Sequence, residues 1–174
     1  MDTKLVLLMR GLPSCGKSHT ARRLAGADGV VLETDQYFYT QVGDDPGSYD
    51  YREELLADAR QWNLNRFRDA LSHAVTPIVV DRGNGLNRES REYVVAAQEQ
   101  GYDVELREPD SPWWGELRVL LKYKKHVAPE LFDQWAEALA ARSRGTHRVP
   151  VKTIRRWMNS WRSGLTVDDI LNAG

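Results

Sequence analysis

Much of what defines other protein classes is missing from this chain. It has one cysteine, Cys15, so an internal disulfide cannot form and a disulfide-stapled secreted scaffold is excluded. No apolar run approaches the roughly 18 residues of a membrane-spanning helix. The first apolar stretch, Leu5–Met9, is too short for a secretory leader, and a cytoplasmic location without membrane attachment is the expectation. The four histidines are scattered, and no Cys/His spacing suits a zinc site. There is no internal repeat and no low-complexity tract. The net charge of −1 by itself names no polyanionic or cationic partner. What remains is an ordinary globular composition, 41% hydrophobic and 28% charged. At 174 residues this is enough for one buried core and short for two domains, so a single domain over 1–174 is expected.

The strongest positive signal is at the N-terminal end. The apolar segment up to Met9 runs into Gly11-Leu12-Pro13-Ser14-Cys15-Gly16-Lys17-Ser18, and a helix-favouring segment follows to Ala25. Strand, Gly-x-x-x-x-Gly-Lys-Ser and helix in that order make a P-loop. Its glycines let successive backbone N–H groups converge on phosphates, and the helix start adds a positive dipole end. Gly11, Pro13, Ser14, Cys15, Gly16, Lys17, Ser18 and His19 are therefore the expected nucleotide-binding residues. Lys17 is expected to reach the β- and γ-phosphates and Ser18 to ligate Mg²⁺. Cys15 lies where a helix N-terminus favours a thiolate, or is simply a small residue that fits.

Two more strands end in acids. Val30-Val31-Leu32-Glu33 leads to Thr34-Asp35, and Pro77-Ile78-Val79-Val80 leads to Asp81. Ligands of open parallel sheets gather beyond the carboxyl ends of the strands, which puts Asp35 beside the phosphate crevice unless it only caps the next turn. Asp81 has a Walker-B-like place, either serving Mg²⁺ or fixing the P-loop through Ser18. The aromatics Tyr37, Phe38 and Tyr39 suit base stacking or the core equally, and a Gly/Pro-marked loop follows at 43–48. Helical periodicity spans Tyr51 to His73, with a further helix from Arg88 to Gln100 and a fourth strand from Tyr102 to Arg107. The expected fold is α/β, a P-loop NTPase three-layer sandwich with a parallel sheet of four or five strands and a C-terminal helical lid.

Beyond residue 110 the chain turns helical and basic. Ser111-Pro112 starts a helix to about Lys125, Pro129 to Ser143 forms a second, and Pro150 opens a third carrying Ile154, Trp157, Met158 and Trp161. A tail helix follows Thr166, whose Thr-x-x-Asp start resembles a capping box. Core 1–110, helical substrate and lid region 111–162 and tail 163–174 are the expected parts. Residues 118–162 carry eleven Lys or Arg and three acids, a net of +8 against −9 elsewhere. That asymmetry suits contact with an anion, and the tract Lys122-Tyr123-Lys124-Lys125-His126 could track a phosphate backbone. The Gly-hinged turn at 142–150 is expected to act as a lid over the phosphates. The Asn-Lys-x-Asp pattern by which GTPases select guanine is absent, which favours an adenine or permissive base site.

Taken with Thr34-Asp35-Gln36-Tyr37-Phe38, Trp62-Asn63, Pro77-Ile78-Val79-Val80-Asp81-Arg82-Gly83-Asn84, Gly101-Tyr102-Asp103-Val104 and Arg107-Glu108-Pro109-Asp110, the P-loop forms a recognisable series. The chain resembles the P-loop polynucleotide kinase family, which includes the bacteriophage polynucleotide 5′-kinase, the kinase domain of the NEDD4-binding-protein-2 type and related phage kinases of 5-hydroxymethyluracil DNA. The resemblance runs from about Leu5 to Trp161, and the lid stretch Arg144 to Pro150 looks especially like the phage enzyme. It implies an ATP- and Mg²⁺-dependent phosphotransferase with Asp35 as general base and with Arg142 and Arg144 stabilising the transferring phosphoryl group beside Lys17. Arg82, Asn84 and Arg148 join Tyr37 and Phe38 as expected acceptor-side residues. The implied setting is a bacterial or phage-infected cytoplasm, with no obligate protein partner.

Departures from the family bear on the acceptor. Ser14-Cys15 stands where Gly-Ser is usual, and Phe38 stands where the end-kinase carries a phosphate-gripping arginine. Asp81-Arg82-Gly83-Asn84 replaces Asp-x-Thr-Asn, which leaves Arg82 to supply a lost phosphate contact. The expected activity is γ-phosphoryl transfer from ATP to a hydroxyl of a nucleic acid, DNA in preference, at a hydroxymethylated pyrimidine within the strand or at a 5′-hydroxyl end. The alternatives are a kinase for a nucleoside, sugar or antibiotic, and a non-catalytic nucleotide-dependent switch.

Overall fold

The computed structural model describes residues 2–40, 49–82, 88–144 and 148–173. Alternation of apolar strands with amphipathic helices gives β1 (Leu5–Met9), α1 (Lys17–Ala25), β2 (Val30–Glu33), α2 (Tyr37–Thr40), α3 (Leu56–Ser72), β3 (Ile78–Asp81), α4 (Arg88–Glu99) and β4 (Asp103–Arg107). Four helices follow: α5 (Pro112–Lys122), α6 (Pro129–Ser143), α7 (Val151–Ser160) and α8 (Val167–Asn172). The described strands form one parallel sheet in the order β2-β3-β1-β4. Parallel strands need crossover helices on the faces, which is why β1 and β3 read as unbroken apolar runs.

Side chains alternate across each strand, so one sequence run feeds two cores. Val6, Leu8, Leu32, Ile78 and Val80 face α3 and α4 and pack on Leu64, Phe67, Leu71, Tyr93 and Val94. Leu7, Met9 and Val79 point the other way onto Ala21 and Ala25 of α1. The tail helix closes the first core through Ile170, and its start is capped reciprocally by Thr166 and Asp169. β4 departs from the expectation of strands buried on both faces. It is the edge, with Asp103, Glu105 and Arg107 exposed and Val104 and Leu106 packed inward.

The helical region has its own core of Trp114, Leu117, Leu121, Phe132, Ala136, Leu139, Ile154, Met158 and Trp161, and it takes in Leu12 and Cys15 from the P-loop. Burying about six large apolar side chains at ~2 kcal/mol each makes this a substantial anchor for the loop. Arg10, 2% exposed, completes the join. Its guanidinium lies 4.0 Å from the Trp161 ring centroid and donates to the Arg162 carbonyl at 2.8 Å.

Several boundaries differ from the sequence reading. The expected helix from Tyr51 begins as a 3-10 turn at Glu53–Leu55 before α3. α5 stops at Lys122, and Lys124–His126 forms a separate 3-10 turn. Lys124, read as part of a phosphate-tracking tract, instead donates its ammonium to the carbonyls of Asn159 and Trp161, ending α7.

Candidate active site

The P-loop closes tightly because two positions take left-handed backbone, Ser14 at φ 61° and Gly16 at φ 88°. Gly16 adopts this at no steric cost, whereas Ser14 carries a conformation that favours glycine. A side chain at Gly11 would come within 3.0 Å of Pro109, so that strand tip also needs its glycine. Lys17 Nζ donates across the loop to the Gly11 carbonyl at 3.1 Å. Cys15 corrects the thiolate expectation. It is 0% exposed, and burial pushes its thiol up to about 12 against the opposing influence of Lys17 and Arg142. It is a packing residue.

Register places the acids. β3 lies between β2 and β1, with Glu33 and Met9 level with Asp81 on either side. Ser18 Oγ donates to Asp81 Oδ2 at 3.0 Å, so the tip of β3 holds the first turn of α1. Glu33 reaches the same group. Burial first, then the charge of Asp81 and a hydrogen bond with it, push the Glu33 carboxyl up to about 7. Asp35 sits on the 3-10 turn Thr34–Gln36. That turn is fixed by Gln36 Oε1, which accepts from Arg66 Nη1 at 2.7 Å and from the Glu33 backbone at 3.4 Å. Arg66 in turn neighbours Asn63, whose amide donates to the buried Tyr93 hydroxyl at 3.0 Å. The Trp62-Asn63 pair thus supports the strand tip that carries Asp35.

The Glu108-Pro109-Asp110 motif has a similar supporting job. Glu108 accepts from the Trp114 indole at 2.9 Å, Pro109 packs on Gly11, and Asp110 accepts from Thr20 at 2.9 Å and pairs with Arg23. Ser111 caps α5 and donates to the Cys15 carbonyl at 2.8 Å. Above the loop, the Trp113 indole N–H donates to the Ser14 carbonyl at 3.0 Å, and Arg142 lies 4.3 Å over the Trp113 ring.

These parts enclose one cavity of about 680 Å³. Of the residues expected from sequence, Gly11, Pro13, Ser14, Gly16, Lys17, Ser18, His19, Asp35, Asp81, Arg82 and Arg142 border it. Phe38 does not, and its expected stacking role is corrected: it is 0% exposed, closed in by the rings of Tyr37, Tyr49 and Tyr51. Tyr37 packs edge-on against Phe38 and Trp62 and is not on the wall. Arg144 and Arg148 are exposed and off the wall, while Asn84 and residues 145–147 of the expected lid lie outside the described residues. Arg82 reaches the wall, but its guanidinium is paired with Glu89, lies 5.4 Å from the Tyr93 ring, and is only 13% exposed.

Sequence reasoning passed over Glu33, Thr34, Leu56, Arg60, Trp113, Val149 and Trp157, which also border the cavity. Glu33 carried a usable signal, an acid ending an apolar strand two residues before Asp35. Arg60 carried none, since only folding brings α3 to the tip of β2.

Oxygen donors suited to a hard divalent ion are present. Ser18 and Asp81 are already in contact, Glu33 adjoins them, and the buried Thr34 Oγ1 on the cavity wall has no hydrogen-bond partner among the described residues. This set fits Mg²⁺.

A phosphate cradle at the tip of a central parallel strand, flanked by acids on the neighbouring strand ends, defines a P-loop nucleotide-binding α/β domain. A family model described as an AAA domain matches residues 6–116, and the chain belongs to that family. Human NEDD4-binding protein 2 is 39% identical over 112 residues, 63% of this chain and 6% of that protein. Human YLP motif-containing protein 1 is 28% identical over 158 residues, 78% of this chain and 7% of that protein. The chain therefore spans a small fraction of these relatives. Among solved structures, one described as the Pnkp1/Rnl/Hen1 RNA repair complex superposes with a TM-score of 0.59 at 16% identity, covering 99% of this chain and 46% of that one. The P-loop α/β fold with a parallel sheet expected from the sequence is the fold observed, with four strands among the described residues.

Proposed function

We propose that the chain is an ATP-dependent kinase that phosphorylates a hydroxyl of a nucleic acid. The observation that carries this reading is that Lys17, Ser18, Asp35, Asp81 and Arg142 border a single cavity. Phosphoryl transfer asks for in-line positioning and charge neutralisation rather than covalent chemistry, and these groups are a sufficient set. The P-loop amides and Lys17 hold the β- and γ-phosphates. Ser18 and Asp81 would hold Mg²⁺, whose chemistry is to neutralise charge on those phosphates. Asp35 takes the proton of the acceptor hydroxyl as its oxygen bonds to the γ-phosphorus. The bond from that phosphorus to the bridging oxygen breaks, and ADP leaves with the electron pair. Arg142, levelled on Trp113, stabilises the charge that spreads over the phosphoryl oxygens, a role worth ~10³-fold or more in rate.

A nucleic-acid acceptor is supported by the basic C-terminal region, where Lys122, Lys125, Lys152 and Arg156 are exposed, and by the repair-complex neighbour. The acceptor is either a 5′-hydroxyl end or a hydroxymethylated pyrimidine within DNA. Burial of Phe38 removes one argument for the second. Label from γ-labelled ATP is expected on a 5′-hydroxyl oligonucleotide or on duplex DNA containing 5-hydroxymethyluracil, and Asp35→Asn is expected to abolish it. Label on neither, with label on a free nucleoside or sugar, would move the reading to a small-molecule kinase. No transfer from ATP at all would leave a nucleotide-dependent switch.

A further inference from the structure

With Phe38 buried, the acceptor side of the cavity is built from elsewhere. Arg60, in the second turn of α3, borders the cavity together with Asp35 and Leu56, and its side chain is 49% exposed. Tyr51, 48% exposed, is not on the wall, and its ring centroid lies 5.0 Å from that of Phe38. The two are electrostatic neighbours. Burial, Glu53 and Asp35 raise the Tyr51 phenol above its ordinary range, and Arg60 acts against them.

Arg60 and Arg82 share one carboxylate, that of Glu89. Two guanidinium groups on one acid leave a positive surplus. Arg82 also borders the cavity but is only 13% exposed and lies 5.4 Å from the Tyr93 ring, so Arg60 is the more accessible of the two cations on the wall. Glu89 engages Arg60 at Nε, 2.7 Å away, which fixes the fork and leaves its Nη edge for the paired oxygens of a phosphate.

We propose that Arg60 and Tyr51 form the acceptor subsite: Arg60 grips the phosphate next to the acceptor hydroxyl and Tyr51 stacks the nucleobase. The preferred acceptor is then a terminal nucleotide bearing a phosphate, not a bare nucleoside or sugar. This deepens the kinase reading and rests on it for the role of Asp35. The chemistry is that of a planar charged fork and an exposed aromatic face, which is how single-stranded nucleic acids are held without base-edge contacts.

The test uses the full chain and three 3′-labelled DNA probes: a short 5′-hydroxyl oligonucleotide, the same with a neutral methylphosphonate at its first linkage, and the same with an abasic first residue. Affinity is read by fluorescence anisotropy and transfer from ATP is read separately. The wild-type chain is expected to bind each altered probe about tenfold more weakly than the parent. Arg60→Ala should weaken binding of the parent about tenfold and leave the methylphosphonate probe unchanged, while Tyr51→Leu does the same for the parent and the abasic probe, and Tyr51→Phe restores binding. Equal affinity of the wild type for all three probes overturns the subsite without needing any variant to fold, and so does an Arg60→Ala loss that is the same on charged and neutral linkages. Transfer without that discrimination keeps the kinase and removes the subsite. Discrimination in binding without transfer keeps the subsite and removes the kinase.

Discussion

The indole N–H of Trp113 donates to the backbone carbonyl of Ser14 at 3.0 Å, joining the first turn of α5 to the tightest bend of the P-loop. The same ring carries the Arg142 guanidinium at 4.3 Å, so one side chain contacts both the P-loop and an arginine on the cavity wall. Trp113→Leu removes both contacts and is expected to lower kcat/KM for ATP by about tenfold or more. Trp113→Phe keeps the aromatic face, loses the hydrogen bond, and should lose less. Steady-state kinetics of the pair separate the two contacts, and equal losses would mean that Arg142 does not depend on the ring.

Gly16 holds φ 88° at the N-terminus of α1. Gly16→Ala forces a Cβ into left-handed backbone at about 1–2 kcal/mol and disturbs the amides that would meet phosphate. Both thermal stability and affinity for a nucleotide should fall, read by melting with and without ATP. Because nucleotide stabilises only the state that binds it, the ATP-induced rise in Tm should shrink as well.

Glu33 makes stability depend on pH. An ordinary glutamate titrates near 4.5, and burial together with Asp81 pushes this one up to about 7. The folded chain keeps a proton that the unfolded chain has already released, so this group's contribution is complete below about 4.5 and is lost as pH rises to about 7. Urea unfolding should show higher stability at pH 5 than at pH 8 from this source. Glu33→Gln is expected to flatten that slope and to raise stability at pH 8; an unchanged slope would place the titration elsewhere.

Cys15 should be inert while the chain is folded. With the thiol buried and pushed up to about 12, alkylation at pH 8 is expected only after unfolding. Cys15→Ser replaces a weakly polar group by a hydroxyl inside the helical core and should cost about 1–2 kcal/mol, measured by denaturant unfolding. Rapid labelling of the native chain would contradict the packing of the loop against α5 and α7.

The amino-acid order by itself determined the elements and the phosphate cradle. Strand runs such as Ile78–Asp81, the Ser111-Pro112 cap and the Gly-x-x-x-x-Gly-Lys-Ser spacing are local signals, because periodicity, capping and loop closure each depend on residues a few positions apart. Tertiary structure decided which side chains meet. Phe38 and Cys15 sit beside cavity-lining residues in sequence, yet packing withdraws both from the cavity. Arg60, Trp113 and Glu33 reach it because the order β2-β3-β1 and the helical core bring together segments up to about a hundred residues apart. Burial and charge proximity follow from that assembly, so no local pattern could announce them.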